Sequence, residues 1–541
     1  MPVAGNPGDT ALGYNAEAMD RHRPVVMGTN GMVASGHPLA SAAGLRVLQE
    51  GGNAFDAIVA TAAVVAVTKP SMTGIGGHNL AVIWDAKRQE LHTLDANGPA
   101  PAGATVERYK DGIPATGPLA ASVPGAVAGW DALLSRLGTR RLAGLIQPAI
   151  GYAEHGFPVN HLLHGEIGAM QGELSHWPTT AAVLLPGGKV PMPTDLLVQT
   201  NLAASLKLVA QHGPNVFYEG EIAQRIGEYM ASNGGLLAAG DFAGFKPRWG
   251  QPWHVSYRDA DFYGQLPPSQ GFIIGQELNV FEGYDPKALS EPERLHVMVE
   301  AKKLAFADRA RYLCDPEFHA VPLDVLLSKD HAARQRARIG ATAATNVQAL
   351  DLAVAGGETT YMCAVDGQGN AVSFIQSLFH NFGSCVVAGD TGILLNNRMC
   401  GFSTEPGHRN VVEPGKRPSM TLNTSMIFRG GRPWVVYGTP GADAQVQTNF
   451  QHAVDWVDFG MDVQTAIESP RYRHLPGNKL LLEGRFPTQT IEALRAKGHE
   501  VVVAAPWEKE TGGAQAIMID PRTNVLQGGA DPRREGYAVG F

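Results

Sequence analysis

Cysteine is scarce in this chain. Four residues in 541, Cys314, Cys363, Cys385 and Cys400, stand far apart with no CxxC pair, which excludes a ribbon-type zinc site and argues against a disulfide framework. Buried thiols are expected instead. Dense positive charge is also lacking: 43 Lys and Arg face 51 Asp and Glu for a net charge of -8, and no cluster could neutralise a row of phosphates, so nucleic acid is excluded as a partner class. No apolar run reaches the length of a membrane span. The longest, Ala54 to Val67, has almost no polar face and reads as a core helix. The leader MPVAGNPGDTALGYNAEAMDRHRP lacks an apolar signal region, so a cytoplasmic location without membrane attachment is expected. No His, Asp and Glu cluster has metal-ligand spacing, HGFPVNHLLHGE being too irregular; neither a metal nor a cofactor is expected.

Glycine, by contrast, is abundant at 64 residues, which implies tight turns and closely approaching backbones. A helix is predicted from about Leu39 to Gln49, closed by Gly51 and Gly52, with Asn53 capping the next helix and Pro70 ending it. The GIGG of Gly74 to Gly77 precedes a strand rather than opening a helix after one, so it reads as close packing and not as a phosphate loop. Residues 117–245 read as interrupted amphipathic helices. EPERLHVMVEAKKLAFADRARYLC reads as one long helix, with Leu295, Met298, Ala305 and Phe306 on a single buried face. The stretch 338–358 is rich in Ala, Thr and Gly with weak periodicity, as expected of a flexible, exposed linker. Strands then dominate: TTYMCAVD, AVSFIQSLF, TGILLNN, SMIF, WVVYGTPG, EVVVAA, AIMID and NVLQGGAD, with helices near residues 449–459 and 487–497. Helices outside and antiparallel strands inside imply an α+β layered architecture.

The texture changes at GGETTYMCAVDGQGN, between Glu358 and Thr359. Two readings compete: Thr359 and Thr360 simply start a strand, or the chain is cut there and Thr359 becomes a terminal nucleophile. A hydroxyl needs a base, and an N-terminal threonine carries its own in an α-amine that titrates at roughly 7.7–8.0 when unperturbed.

TTYMCAVDGQGNAVSFIQS, FGSCVVAGDTGILLNN, the PGKRP of Pro414 to Pro418 and the YGTPGA of Tyr437 to Ala442 resemble the γ-glutamyltranspeptidase family of N-terminal-nucleophile hydrolases. So do GMVASGHPLAS, EGGNAFDA, SVPGAVAGWDALLSRLGT and the terminal GGADPRREG, so the likeness runs in order along nearly the whole chain. The resemblance implies a four-layer αββα sandwich. It also implies autocleavage between Glu358 and Thr359 into a large fragment, residues 1–358, and a small one, residues 359–541, intertwined in one unit. Whether processed units pair as a homodimer stays open.

By the same resemblance Thr359 is the nucleophile, Ser377 the second hydroxyl beside it, and Gly441 and Ala442 the backbone donors of the oxyanion hole. The family's substrate clamps are replaced. Its amine-binding Asp, Asn and Gln fall on Gly401, Phe379 and Arg398, its carboxylate-binding Arg on Asn97, and two serines on Met420 and Thr421. A γ-glutamyl head group would thus lose both charge clamps. Arg398 offers a guanidinium suited to a substrate carboxylate, or else pairs structurally with an acid such as Asp390 or Glu405. His380 and Asn381 line the mouth, or His380 is a packed histidine. STEPGHRNVVEPG is shorter than the lid-bearing stretch of standard members, implying a more open pocket and hydrolysis over transfer.

SFIQSLFHNFGS, NNR and TLN resemble a side branch that includes oxamate amidohydrolase, whose substrates are small anionic amides. The reading is an autoprocessing threonine amidohydrolase without a cofactor, acting on an oxamate-like anionic amide. A γ-glutamyl hydrolase or transpeptidase, a glutaryl-type acylase, or an unprocessed relic that only binds a small acid are the alternatives.

Overall fold

The computed structural model of the uncut chain describes residues 22–347 and 357–541. The leader up to residue 21, and residues 348–356 of the expected linker, lie outside them.

Two seven-stranded sheets stack face to face. One runs, in spatial order, Val26–Gly28, Leu526–Ala530, Gln515–Ile519, Arg432–Gly438, Ser425–Arg429, Ala260–Gly264 and Trp253–Tyr257. The other runs Tyr537–Gly540, Gly31–Ser35, Gly357–Asp366, Ala371–His380, His78–Asp85, Glu90–Ala96 and Arg248–Gly250. Met32, Leu80, Tyr361, Ile375, Met426 and Ile517 are among the side chains that fill the space between them. Each outer face carries helices over its own apolar core, so the chain forms the four-layer sandwich with helices on both sides.

Strand alternation puts one face of Tyr361, Cys363 and Val365 into the inter-sheet core and sends Met362 and Ala364 to the helical side. The helical side is covered by Ala54–Thr68, which is buried along its whole length. That helix starts where the sequence predicts: the Asn53 side chain accepts from the Phe55 and Asp56 amides, and Asp56 answers back to Asn53. Burial of the Asp56 charge is offset by the amides of Thr139 and Arg140 and by the Thr139 hydroxyl. The Gly74–Gly77 turn is close packing, as expected: a Cβ at Gly76 would sit 2.2 Å from the Leu394 carbonyl oxygen, and one at Gly77 2.4 Å from that of Ser377.

Four local expectations are revised. TGILLNN is no strand: its Thr391 closes a short helical turn, Gly389–Thr391, Gly392 at φ +69° breaks the extended run, and Leu394 and Leu395 make only isolated bridges. The helix placed near 449–459 spans Ala444–Val457. The helix Glu291–Tyr312 has no exposed polar face through its middle, since Glu300, Lys302, Lys303 and Arg309 are buried with the apolar stripe. The linker is held at both described ends. The Ala343 amide bonds the Lys497 carbonyl at 2.8 Å and the Ala344 amide bonds Glu300 at 3.2 Å, while Gly357 and Glu358 already belong to a strand.

Candidate active site around Thr359

Thr359 lies near the start of the strand Gly357–Asp366, where the register breaks. Glu358 faces Phe379 and Thr360 faces Gln376, so the partner strand carries one extra residue across Thr359. Phe379, at φ +93°, absorbs the distortion. The bulge brings three groups onto one hydroxyl. Thr359 Oγ1 donates to Ser377 Oγ at 3.1 Å, the Phe379 amide donates to it at 2.8 Å, and Ser377 Oγ in turn donates to the Glu358 carbonyl oxygen at 2.9 Å. The carbonyl of the Glu358–Thr359 peptide is therefore polarised by the same hydroxyl that accepts the Thr359 proton. The strand is anchored further along, where Gln376 accepts from the Trp130 indole and donates to Thr73.

Beside the peptide lies a charged cluster in which the sequence assigns a role to Glu358 alone. The Glu358 carboxylate pairs with the Arg534 guanidinium. Lys69 Nζ bonds the Gly36 carbonyl at 3.1 Å, and Glu166 accepts the Ser71 hydroxyl at 2.6 Å. Burial lowers the Lys69 ammonium against the attraction of Glu166, Glu535 and Glu358, while burial and then the Glu358 charge raise the Glu166 carboxyl.

Gly441 and Ala442 stand just before the helix Ala444–Val457, at φ +119° and +51°. Among the described residues neither amide has a backbone or side-chain acceptor, which leaves two N–H groups at a helix N-terminus for an incoming anion. The loop is braced from behind: Arg309 pairs with Asp443 and bonds Gln270, whose Nε2 donates to the carbonyls of Ala442 at 3.2 Å and Thr421 at 2.9 Å. Ala442 packs on Phe379, which ties this loop to the strand opposite Glu358.

Arg398 is neither a surface arginine nor a partner of Asp390 or Glu405. It is fully buried, with all three guanidinium nitrogens lacking an acceptor among the described residues, and it lies 4.2 Å over the Phe379 ring. Burial pulls it down to about 9. Histidines flank it. Burial and then the Arg398 charge hold His380 at about 4 and His78 at about 3. His380 stacks on Phe379 at 4.3 Å and meets Asn397 at 2.8 Å through Nδ1, leaving Nε2 without a partner. Asn381 likewise keeps an unpartnered buried Oδ1.

The remaining sequence-derived positions divide. Asn97 neighbours the site through Gly98, whose amide bonds His78, and its own Nδ2 is taken by the Pro418 carbonyl at 3.0 Å. Met420 sends its side chain into the inter-sheet core, where its length and apolarity fit, so it departs from a substrate-binding role. Thr421 keeps a buried, unpartnered Oγ1. Gly401 is required for packing, since a Cβ would meet the Ser419 carbonyl oxygen at 2.6 Å. The shortened stretch closes into a turn in which Ser403 and Asn410 bond. In the uncut chain Thr359 is 2% and Arg398 0% exposed.

Away from this site, buried His296, Glu300 and His499 bring donor atoms within 4.8 Å of one another. Spacing could not find this trio, because His499 joins it only in the fold. Its atoms are largely engaged already: His296 bonds His499 and the Gly340 carbonyl, and Glu300 bonds Lys303 and Ala344.

Three comparisons bear on this geometry. The family model described as Gamma-glutamyltranspeptidase matches residues 40–541. The glutathione hydrolase-like YwrD proenzyme of Bacillus subtilis is 41% identical over 530 residues, covering 95% of this chain and 99% of that protein. The oxamate amidohydrolase proenzyme of Klebsiella pneumoniae is 35% identical, covering 95% and 99%. The crystal structure of cephalosporin acylase from Bacillus halodurans superposes with a TM-score of 0.90 at 33% identity, over 100% of this chain and 99% of that one. Coverage this complete, on a sandwich of two stacked seven-stranded sheets, leaves one conclusion: the chain belongs to the gamma-glutamyltranspeptidase family.

Proposed function

We propose that this chain is a proenzyme that cuts itself between Glu358 and Thr359 and then hydrolyses the amide bond of a small anionic substrate through a threonyl ester. The observation that carries the first part is the relay from Thr359 Oγ1 to Ser377 Oγ to the Glu358 carbonyl oxygen, at 3.1 and 2.9 Å. As Thr359 Oγ attacks the carbonyl carbon, its proton passes to Ser377, whose own proton passes to the carbonyl oxygen. Collapse returns that oxygen to a carbonyl, breaks the C–N bond and moves the proton to the Thr359 nitrogen. Water hydrolyses the ester, releasing the Glu358 carboxylic acid and a Thr359 with free amine and hydroxyl.

In turnover the Thr359 amine takes the hydroxyl proton and passes it to the leaving ammonia or amine, while the Gly441 and Ala442 amides hold the oxyanion. Water then takes the acyl group by the reverse route and restores the hydroxyl. Arg398 supplies the charge for a substrate carboxylate. A guanidinium buried without a partner costs free energy that a bound anion would recover.

A γ-glutamyl hydrolase or glutaryl-type acylase is the second reading. It is favoured by the relatives named glutathione hydrolase-like proenzyme and cephalosporin acylase. Against the γ-glutamyl form, Asn97 is neutral and already bonded to Pro418. A denaturing gel with fragment masses tests the cut: two fragments meeting at 358/359, and one full-length band for Thr359→Ala, support it. Intact wild-type chain with full activity would end the proposal. Turnover of oxamate, glutaryl amides and a γ-glutamyl anilide then separates the substrate readings.

A further inference from the structure

The self-cleavage proposed above needs the acyl side of the bond to be held still, and the sheet does this only in part: Gly357 and Glu358 pair with His380 and Phe379, but across a bulge. The ladder that pairs residues 360–365 with the strand Ala371–His380 breaks its register at Thr359. Two side chains supplement that pairing at Glu358: the Ser377 hydroxyl, from the partner strand, on its carbonyl, and Arg534, from outside the ladder, on its carboxylate.

Arg534 is fixed from three sides. Its Nε and Nη2 donate to the Lys509 carbonyl at 2.9 and 2.6 Å. Its side chain packs so closely on Gly513 that a Cβ there would lie 2.7 Å away. Its own carbonyl lies 3.5 Å from Lys69 Nζ, which places a second buried cation beside the pair. Both partners are almost wholly buried, with side-chain exposures of 5% and 6%. A rigid cation therefore meets a carboxylate two carbons removed from the Cα next to the reacting carbonyl.

We propose that Arg534 is a positioning residue for self-cleavage: through the Glu358 carboxylate it holds the carbonyl carbon where Thr359 Oγ can attack. An intramolecular attack gains its rate from such pre-set geometry, and displacement by about 1 Å can cost on the order of 100-fold. The residue on the acyl side of the cut is thus selected by its charge. The neighbouring cluster admits a carboxylate there more readily than a neutral side chain, since Lys69 and Arg534 would otherwise share fewer counter-charges.

The inference rests on cleavage at 358/359, and its test keeps the two apart. Full-length chains are made in a short pulse of cell-free synthesis, and the loss of the uncut band is followed on a denaturing gel. Wild type must process and Thr359→Ala must not; otherwise the proposed function itself has failed. Given that, Glu358→Ala and Arg534→Ala are each expected to process about 10- to 100-fold more slowly. The double variant should be no slower than the worse single one, and Arg534→Lys should recover part of the rate. A purely structural Arg534 would act independently of residue 358, so slowdowns that multiply in the double variant overturn the proposal. Wild-type processing in either single variant does the same. Should Arg534→Ala fail to fold, Glu358→Gln decides alone, because it removes the charge with almost no change in shape: slowed cutting supports the clamp, and an unchanged rate refutes it.

Discussion

The Arg398 guanidinium lies 4.2 Å over the ring of Phe379, and Phe379 packs on Ala442, one of the two amides free to receive an oxyanion. One aromatic side chain thus links the buried cation to the loop that would stabilise the reaction. The stacking contributes roughly 0.5–2 kcal/mol, too little to offset complete burial of an unpaired guanidinium.

Replacing that charge should therefore stabilise the uncut protein. In a Thr359→Ala background, Arg398→Met is expected to raise stability by about 1–4 kcal/mol, read as a higher urea midpoint at unchanged slope. Small carboxylates should raise the melting temperature of the Arg398 protein and not of the variant. Equal response in both would remove the carboxylate role.

Ser377 stands between the nucleophile and the scissile carbonyl. Ser377→Ala should slow self-cleavage by about 100- to 1000-fold, the scale of losing one donor from a developing oxyanion. Ser377→Thr retains the hydroxyl and should process far faster than the alanine variant, by the same gel assay.

The oxyanion loop makes opposite predictions at adjacent positions. Ala442 at φ +51° pays for a left-handed backbone, so Ala442→Gly should be neutral or stabilising by up to about 1 kcal/mol with turnover retained. Gly441 at φ +119° has no such latitude: Gly441→Val should lower kcat of processed enzyme by about 100-fold or more.

Acid should destabilise the fold through histidines buried as neutral rings. His78 titrates at about 3 when folded and near 6.5 when unfolded, so below pH 6.5 the unfolded chain binds the extra proton. Stability is then full above pH 6.5 and is lost as pH falls toward 3. His78 alone accounts for about 2 kcal/mol at pH 5, and His380, at about 4, adds in the same direction. Urea midpoints at pH 7 and pH 5 check this; equal values would contradict it.

Much of the fold is legible because local signals agree with the layers. The Asn53 cap with Asp56, the apolar run that follows it, and the alternation after Thr360 each announce an element that the structure contains. Where local and tertiary demands diverge, reading fails: TGILLNN has strand composition but no neighbouring ladder, and the middle of Glu291–Tyr312 buries charges that also need partners far along the chain, as Lys303 meets Asn478 besides Glu300.

The candidate site divides in the same way. The order of residue types along the chain, a threonine pair before a strand, a later serine and a glycine before a helix, determines which groups are available for chemistry. Only the fold decides their neighbours: that Ser377 bridges Thr359 and the Glu358 carbonyl across a bulged strand pair, that Arg534 reaches Glu358 across 176 positions, and that Arg398 has no anion among the described residues. Hydrogen bonds and ion pairs act over a few ångströms of space and are indifferent to separation along the chain, so sequence can name these side chains, and the fold alone can introduce them.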